Sequence, residues 1–282
     1  MAMFPVPHTS EWHCHTTCSD GALSPEALAG RAVASGIKTL AITDHDNFRA
    51  YRELSQIRLP APRLVTGMEM SVVWRGMTLH VLSYGFPADD PGHLAFEKLQ
   101  DVNRQARAEQ IADKLERKLG VSDILAHARK QAAGDTPGRP HFALALVEQG
   151  VADTVSRAFE RWLGQGKMGD VKSHWPTLDE AMKMTGSGIR VLAHPIKYKM
   201  TATRLRECLS EFRALGGEGV ELSAPGISSG WYGQLLTMAK RYELLVSGGS
   251  DFHRPGSWSV LGRYPKLPSR MPDLASRLLE VE

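Results

Sequence analysis

Short apolar runs that alternate with amphipathic stretches, and that almost all end in His, Asp or Glu, leave this chain few ways to fold. Residues 38–43, 64–66, 77–84, 189–194, 219–222 and 244–246 read as strands. Helical stretches lie between most of them: 24–36, a segment through Tyr51 and Leu54, 178–184, 202–215 and 231–242. Ser24-Pro25-Glu26 has the order of a helix start, with a capping Ser, Pro in the first turn and an acid beside it. Strands separated by helices predict a parallel β/α architecture. About seven such units predict a closed or nearly closed barrel, a fold that gathers its chemistry at strand ends.

The pattern breaks between Pro91 and Lys172. Phe96, Leu99, Val102, Ala106 and Ile111 predict a long amphipathic helix. More helices are expected around 124–131, 141–148 and 153–163, with no strand among them. The expected organisation is therefore a discontinuous barrel, 1–90 and 173–282, with 91–172 inserted as a helical cap.

Composition narrows the functions. A formal charge of +3 over 282 residues suits an anionic small molecule or short nucleic acid, without the dense basic face of a duplex binder. Three cysteines give no disulfide framework. Cys14-x3-Cys18 lacks the second thiolate pair of a closed zinc site, so Cys14 reads as a small buried hydrophobe. No basic segment followed by an apolar run opens the chain, and no stretch approaches the ~20 apolar residues of a membrane span. A soluble cytoplasmic protein is the expectation.

The strand-end residues carry the chemistry. His13-x-His15 on an extended segment puts two imidazoles on one face. Asp44-His45-Asp46 ends the run 38–43; one of the acids is expected to cap the next helix, which leaves His45 as the ligand. Glu69 stands in the apolar context Met68-Glu69-Met70, where a carboxylate is costly unless it meets a cation. His80 lies mid-strand, His194 precedes a strand-stopping Pro195, and Asp251 and His253 stand two apart after the last run. This N/O donor set suits Mn, Fe, Zn or Mg. His8, His93, His127 and His174 lack such context and read as surface or loop residues.

In this order, His13-x-His15, Ser19-Asp20-Gly21, Thr43-Asp44-His45, Gly67-x-Glu69, His80, Ala193-His194-Pro195 and Gly249-Ser250-Asp251-Phe252-His253 resemble the PHP (polymerase and histidinol phosphatase) family of metal-dependent phosphoesterases. The insertion, with Arg139-x-His141 and Gly164-x-Gly166-Lys167, resembles the branch of 3′,5′-nucleotide bisphosphate phosphatases and the 5′→3′ exoribonuclease RNase AM. The resemblance implies a distorted (β/α)7 barrel and two or three divalent ions, manganese first and Fe, Zn or Mg as alternatives. It implies that His13, His15, Glu69 and Asp251 hold one ion, that Glu69 bridges to a second on His80 and His194, and that Asp20, His45 and His253 serve a third. The last three are also the candidate proton donors to a leaving oxygen. Arg139, His141, Lys167 and Lys197 are expected to hold a second, non-reacting phosphate, with Trp162, Trp175 and Trp231 as candidates to stack a base. The implied reaction is hydrolysis of pAp to AMP, or of short 5′-phosphorylated RNA from its 5′ end. Its rivals are a phosphatase for a small metabolite such as histidinol phosphate and a non-catalytic metal-binding module. Two departures from the family stand out: Glu11 replaces the usual first Asp, and Ile196-Lys197 the usual Gly-Arg.

Overall fold

Ser24 accepts a hydrogen bond from the Ala27 N–H, and Pro25 opens helix α1 (Pro25–Ala34) as the sequence predicts. The computed structural model describes residues 3–57, 62–132, 135–172, 174–256 and 259–279; Ser173, where the barrel is expected to resume, lies outside them. Strands β2 (Ser10–Glu11), β3 (Thr39–Ala41) and β4 (Arg63–Val65) form a parallel sheet, Leu40 facing Glu11 on one side and Leu64 on the other. Helix α2 (Arg49–Ser55) joins β3 to β4. A second sheet runs in the order β5 (Gly67–Trp74), β6 (Met77–Tyr84), β7 (Ile189–Leu192), β8 (Gly219–Ser223), β9 (Leu245–Gly248). Helices α7 (Leu178–Met184), α8 (Ala202–Ala214) and α9 (Ser229–Arg241) fall before or between its later strands. Strands β1 (Val6–Pro7) and β10 (Arg263–Tyr264) pair as a side ribbon, and α10 (Leu274–Leu279) ends the described chain.

The wholly parallel expectation is corrected at β6, which is antiparallel to both neighbours. Arg75 and Gly76 sit at φ 45 and 78, forming a two-residue turn between Trp74 and Met77. Such a turn returns the chain at once, whereas a parallel crossover needs a dozen residues or more. Among the described residues no sheet closes on itself. Single parallel bridges, His45 to Glu69 and Cys14 to Phe252, nevertheless link the segments that follow β3 and β2 to the two edges of the larger sheet, at β5 and just beyond β9.

Met68, Met70, Val72, Leu79, Val81, Leu192 and Val246 pack with Leu205, Phe212 and Leu235 of α8 and α9. The region expected as an insertion holds α3 (Pro91–Leu119), α4 (Ile124–Gln131), α5 (Arg139–Glu148) and α6 (Val155–Ala158), with a wider turn at Phe159–Leu163. These helices share a separate apolar cluster, including Ile111, Leu115, Ile124, Phe142, Leu146 and Leu163. Gly120, at φ 65, stops α3 in the left-handed conformation that favours glycine.

The start of α3 overturns one expectation. His93 is fully buried, not at the surface. Asp90 caps the helix by accepting the His93 N–H at 2.9 Å, and its Oδ1 lies 2.7 Å from His93 Nδ1. The other ring nitrogen is 2.8 Å from Ser83 Oγ, and the ring stacks on Phe86 at 3.7 Å. One residue thus fastens the long helix to β6.

Candidate metal centre

The extended segment after β2 pairs Cys14 with Phe252, so Cys14 turns into the apolar cluster with Leu28 and Ala29 while His13 and His15 face the other way. All three are fully buried. Opposite them stands Glu69, the third residue of β5. Its Oε1 is 2.9 Å from both His80 Nδ1 and His194 Nε2 and 3.4 Å from His13 Nε2. Its Oε2 is 3.0 Å from His45 Nδ1 and 3.4 Å from His15 Nε2. Ser71 pairs with His80 across the β5–β6 turn, and strand side chains repeat every second residue, so Glu69 and His80 share a face.

Asp251 and His253 complete the cluster from beyond β9. Asp251 Oδ1 lies 3.5 Å from His13 Nε2 and 3.3 Å from His15 Nε2. Asp20 Oδ1 lies 3.3 Å from His253 Nε2, and its Oδ2 is 3.8 Å from His45 Nε2. The structure therefore brings together every residue expected as a ligand. Four overlapping groups have ligand atoms within 4.8 Å of one another: His15-Asp20-His45-His253, His13-His15-Asp251, His13-Glu69-His194 and His45-Glu69-His80.

Burial holds two of the site imidazoles, His15 and His194, neutral where a cation needs a lone pair. Desolvation, helped by His253, lowers His15 to about 3; desolvation, helped by Lys197, lowers His194 to about 4. For Glu69 burial alone would raise the pKa, but His80, His45 and His13 hold it well below the carboxylate range. Burial would likewise raise Asp251, and His13 and Lys197 keep it low. Burial would lower His253, yet Asp20 carries it up to about 9. Buried polar atoms are normally hydrogen-bonded. Here His13 Nε2, His15 Nε2, His45 Nδ1, Asp20 Oδ1 and Glu69 Oε2 make no hydrogen bond. Unsatisfied nitrogen and oxygen donors, all aimed into one cluster, fit divalent cations.

The supporting carboxylates were only partly legible. Glu221 on β8, unmarked in the sequence reading, is buried with Oε1 2.9 Å from His13 Nδ1 while its Oε2 accepts the His194 N–H at 2.6 Å. Its signal was a lone acid inside the apolar run Val220-Glu221-Leu222, the same signal that marks Glu69. Glu11 accepts three backbone N–H groups, from His13 at 2.9 Å, Ser250 at 3.0 Å and Gly262 at 2.7 Å, and so ties the first metal-site segment to the last. Neither Asp44 nor Asp46 caps α2, which corrects that expectation; Phe48 occupies the cap position without a side-chain bond. Asp44 instead accepts the Thr16 N–H, the Thr16 hydroxyl and the Ser19 hydroxyl at 2.6–2.7 Å, setting the loop that carries Asp20.

The expected phosphate clamp is assembled less evenly. Arg139 is half-buried and donates to Asp170 at 3.1 Å. His141 is buried and its Nδ1 accepts the Gly138 N–H at 3.0 Å; burial lowers its pKa while Asp20 pulls upward, so it stands within the field of the cluster. Lys167 is exposed. Lys197 is paired with Asp251. Two arginines of α3 were missed because their spacing reads as a solvated helix face. Arg104 and Arg107 lie over the Trp175 ring at 5.4 and 5.8 Å. Arg107 Nε is buried without a partner, and burial together with Arg139 and Arg104 lowers the group to about 9. Of the three tryptophans, Trp175 underlies these guanidiniums, Trp162 packs against the cluster of helices α3–α6 and Trp231 against the main core.

Comparison with known proteins agrees with this site. Residues 11–100 match the PHP domain model. A 5′-3′ exoribonuclease of Haemophilus influenzae is 38% identical over 255 residues, 89% of this chain and 92% of that protein. A 3′,5′-nucleoside bisphosphate phosphatase of Chromobacterium violaceum is 34% identical over 251 residues, 86% of this chain and 87% of that protein. Among solved structures, an amidohydrolase from Chromobacterium violaceum with bound sulfate and no metal superposes with a TM-score of 0.88 at 30% identity, covering 96% of each chain. With relatives of this likeness over most of its length, and with His and carboxylate groups converging from the strand ends, the chain belongs to the PHP domain family.

Proposed function

We propose that the protein is a metal-dependent phosphoesterase that hydrolyses 3′,5′-bisphosphonucleotides such as pAp, and short 5′-phosphorylated RNA from its 5′ end. One observation carries the reading: the Glu69 carboxylate stands amid five buried or half-buried imidazoles, with its Oε2 unbonded, beside a cluster of cap arginines. The ligands are His13, His15, Glu69 and Asp251 for one ion, Glu69 again with His80 and His194 for a second, and Asp20, His45 and His253 for a third. Manganese is the first choice of ion. Bound divalent ions supply a nucleophilic water near neutral pH and neutralise phosphoryl oxygens. We read the two bridged sheets as a distorted (β/α)7 barrel and residues 91–172 as its helical cap, covering the mouth where the ligands converge.

The chain's own residues supply position and protons. Where no third ion is bound, Asp20 carries His253 up to about 9, and the protonated ring is the candidate proton donor to a leaving ribose oxygen. His45 and Asp20 are the alternatives. Arg107, with Arg139, His141, Lys167 and Lys197, holds the second phosphate. A buried guanidinium with a free donor meets a phosphate oxygen better than an exposed ammonium does. Such a clamp makes a terminal phosphate a requirement of the substrate. Sulfate bound in the structural relative and the names of the two enzyme relatives support the same choice of anion.

Product identity tests the proposal. With Mn2+, 5′-phosphorylated oligoribonucleotides should release nucleoside 5′-monophosphates in order from the 5′ end, and 5′-hydroxyl oligonucleotides should resist. Rapid turnover of histidinol phosphate with none of pAp or 5′-phosphorylated RNA would overturn it.

A further inference from the structure

Asp46 follows His45 and is left over once the metal ligands have been assigned. It is 1% exposed and holds φ 61, a left-handed backbone that a non-glycine residue adopts at a cost. Its N–H donates to the Glu69 carbonyl at 2.9 Å. Its Oδ1 accepts the Ser71 N–H at 2.5 Å and the Gln100 amide at 2.9 Å. Its Oδ2 accepts both Arg104 Nε, at 2.8 Å, and an Arg104 terminal nitrogen, at 2.5 Å. Gln100 also donates to the Ser71 carbonyl at 2.9 Å. The carboxylate is thus fully used, by β5 on one side and by α3 on the other.

These bonds flank one joint. His45 Nδ1 and Glu69 Oε2 meet at 3.0 Å, and Asp46 is bonded to the strand on both sides of Glu69's side chain, through the carbonyl of Glu69 itself and the N–H of Ser71. The left-handed backbone of Asp46 comes immediately after His45, whose imidazole meets Glu69. A strained residue persists only where its surroundings fix it, and the fixing groups here come largely from the cap helix.

We propose that Asp46 is a positioning residue: through its clasp on Ser71, Gln100 and Arg104 it sets His45 against Glu69, and so makes assembly of the metal centre depend on the docking of α3. This rests on the metal-dependent reading of the cluster above. Outer partners of metal ligands contribute about 10- to 100-fold in metal affinity or activity.

Asp46→Asn is the sharp test. Asn tolerates the left-handed backbone and keeps one acceptor, but it turns an amide donor toward Arg104. Measured with Mn2+ by calorimetry and metal analysis, the variant should bind its ions about tenfold or more weakly. It should lose kcat by a similar factor with KM for pAp within about twofold. Its melting transition should stay cooperative, and Asp46→Ala should lose more of both. Wild-type Mn2+ affinity and kcat in Asp46→Asn overturn the proposal. So does a change confined to KM, or a variant that no longer folds, since each gives Asp46 a different role. Inactivity of the wild-type protein on every phosphoester would instead refute the proposed function, and the Mn2+ titrations would still decide the role of Asp46.

Discussion

His13 turns its Nδ1 to Glu221 at 2.9 Å, and that contact leaves Nε2 facing Glu69 and Asp251. A metal-ligating imidazole usually gives its second nitrogen to such a partner, which fixes the tautomer and ring angle. Glu221→Gln should therefore bind Mn2+ about 10- to 100-fold more weakly while keeping its fold. A calorimetric titration reads the change, and an unaltered isotherm counts against the orienting role.

Removing a ligand should be harsher than removing its support. His194 reaches Glu69 from beyond β7 and is not part of the apolar core. His194→Ala should abolish phosphoester turnover and lower the number of bound ions, with a circular dichroism spectrum like that of the parent. Turnover at the wild-type rate would show that His194 is no ligand.

Specificity should separate from chemistry in the cap. Arg107→Ala should lower kcat/KM for pAp by about 10- to 100-fold, the worth of a charge-assisted hydrogen bond. Hydrolysis of a simple aryl monophosphate should change little. Lys167→Ala should show the same selectivity with a smaller loss, because Lys167 is exposed and Arg107 is not. Equal losses on both substrates in either variant would contradict its place in the clamp.

The latch at the start of α3 should respond to acid. Burial lowers His93 below its ordinary 6.5, against the upward pull of Asp90. The unfolded chain then binds the proton more readily, so this contribution is present above pH 6.5 and is lost as pH falls below it. Asp90, with bonds from His93 and Ser187 that outweigh desolvation, titrates at about 2 against 3.8; its contribution fades only below about pH 4. Between pH 7.5 and 5.5 the chelator-treated protein should lose melting temperature, and His93→Gln should lose less over the same interval. Parallel slopes would remove His93 from the explanation.

The cluster was legible because histidines and acids are scarce at the ends of apolar strands, where His13, His15, His45, His194, Asp251 and His253 stand, and because Glu69 is a lone carboxylate in an apolar run. Glu221 escaped notice because its partners, His13 and His194, come from other strands and become neighbours only through sheet order. Asp46 was one of two candidate helix caps, with Asp44, because Asp near a helix start usually caps it; only the tertiary structure shows Ser71 and Arg104 taking its oxygens instead. The β5–β6 return was hidden because Arg75-Gly76 is a weaker turn signal than Asn-Gly. Arg104 and Arg107, three residues apart among other charges, gain meaning only when Trp175 and Arg139 are brought beside them.

Loaded with divalent ions, this cluster should cleave one phosphate from a nucleotide that carries a second. The direct measurement is hydrolysis of pAp by the purified protein, before and after chelation and with Mn2+ restored, with bound metal counted in parallel. AMP and inorganic phosphate should form in equal amounts, with activity lost on chelation and recovered as two or three ions return. No phosphate release from pAp by protein carrying its full complement of ions would contradict this role.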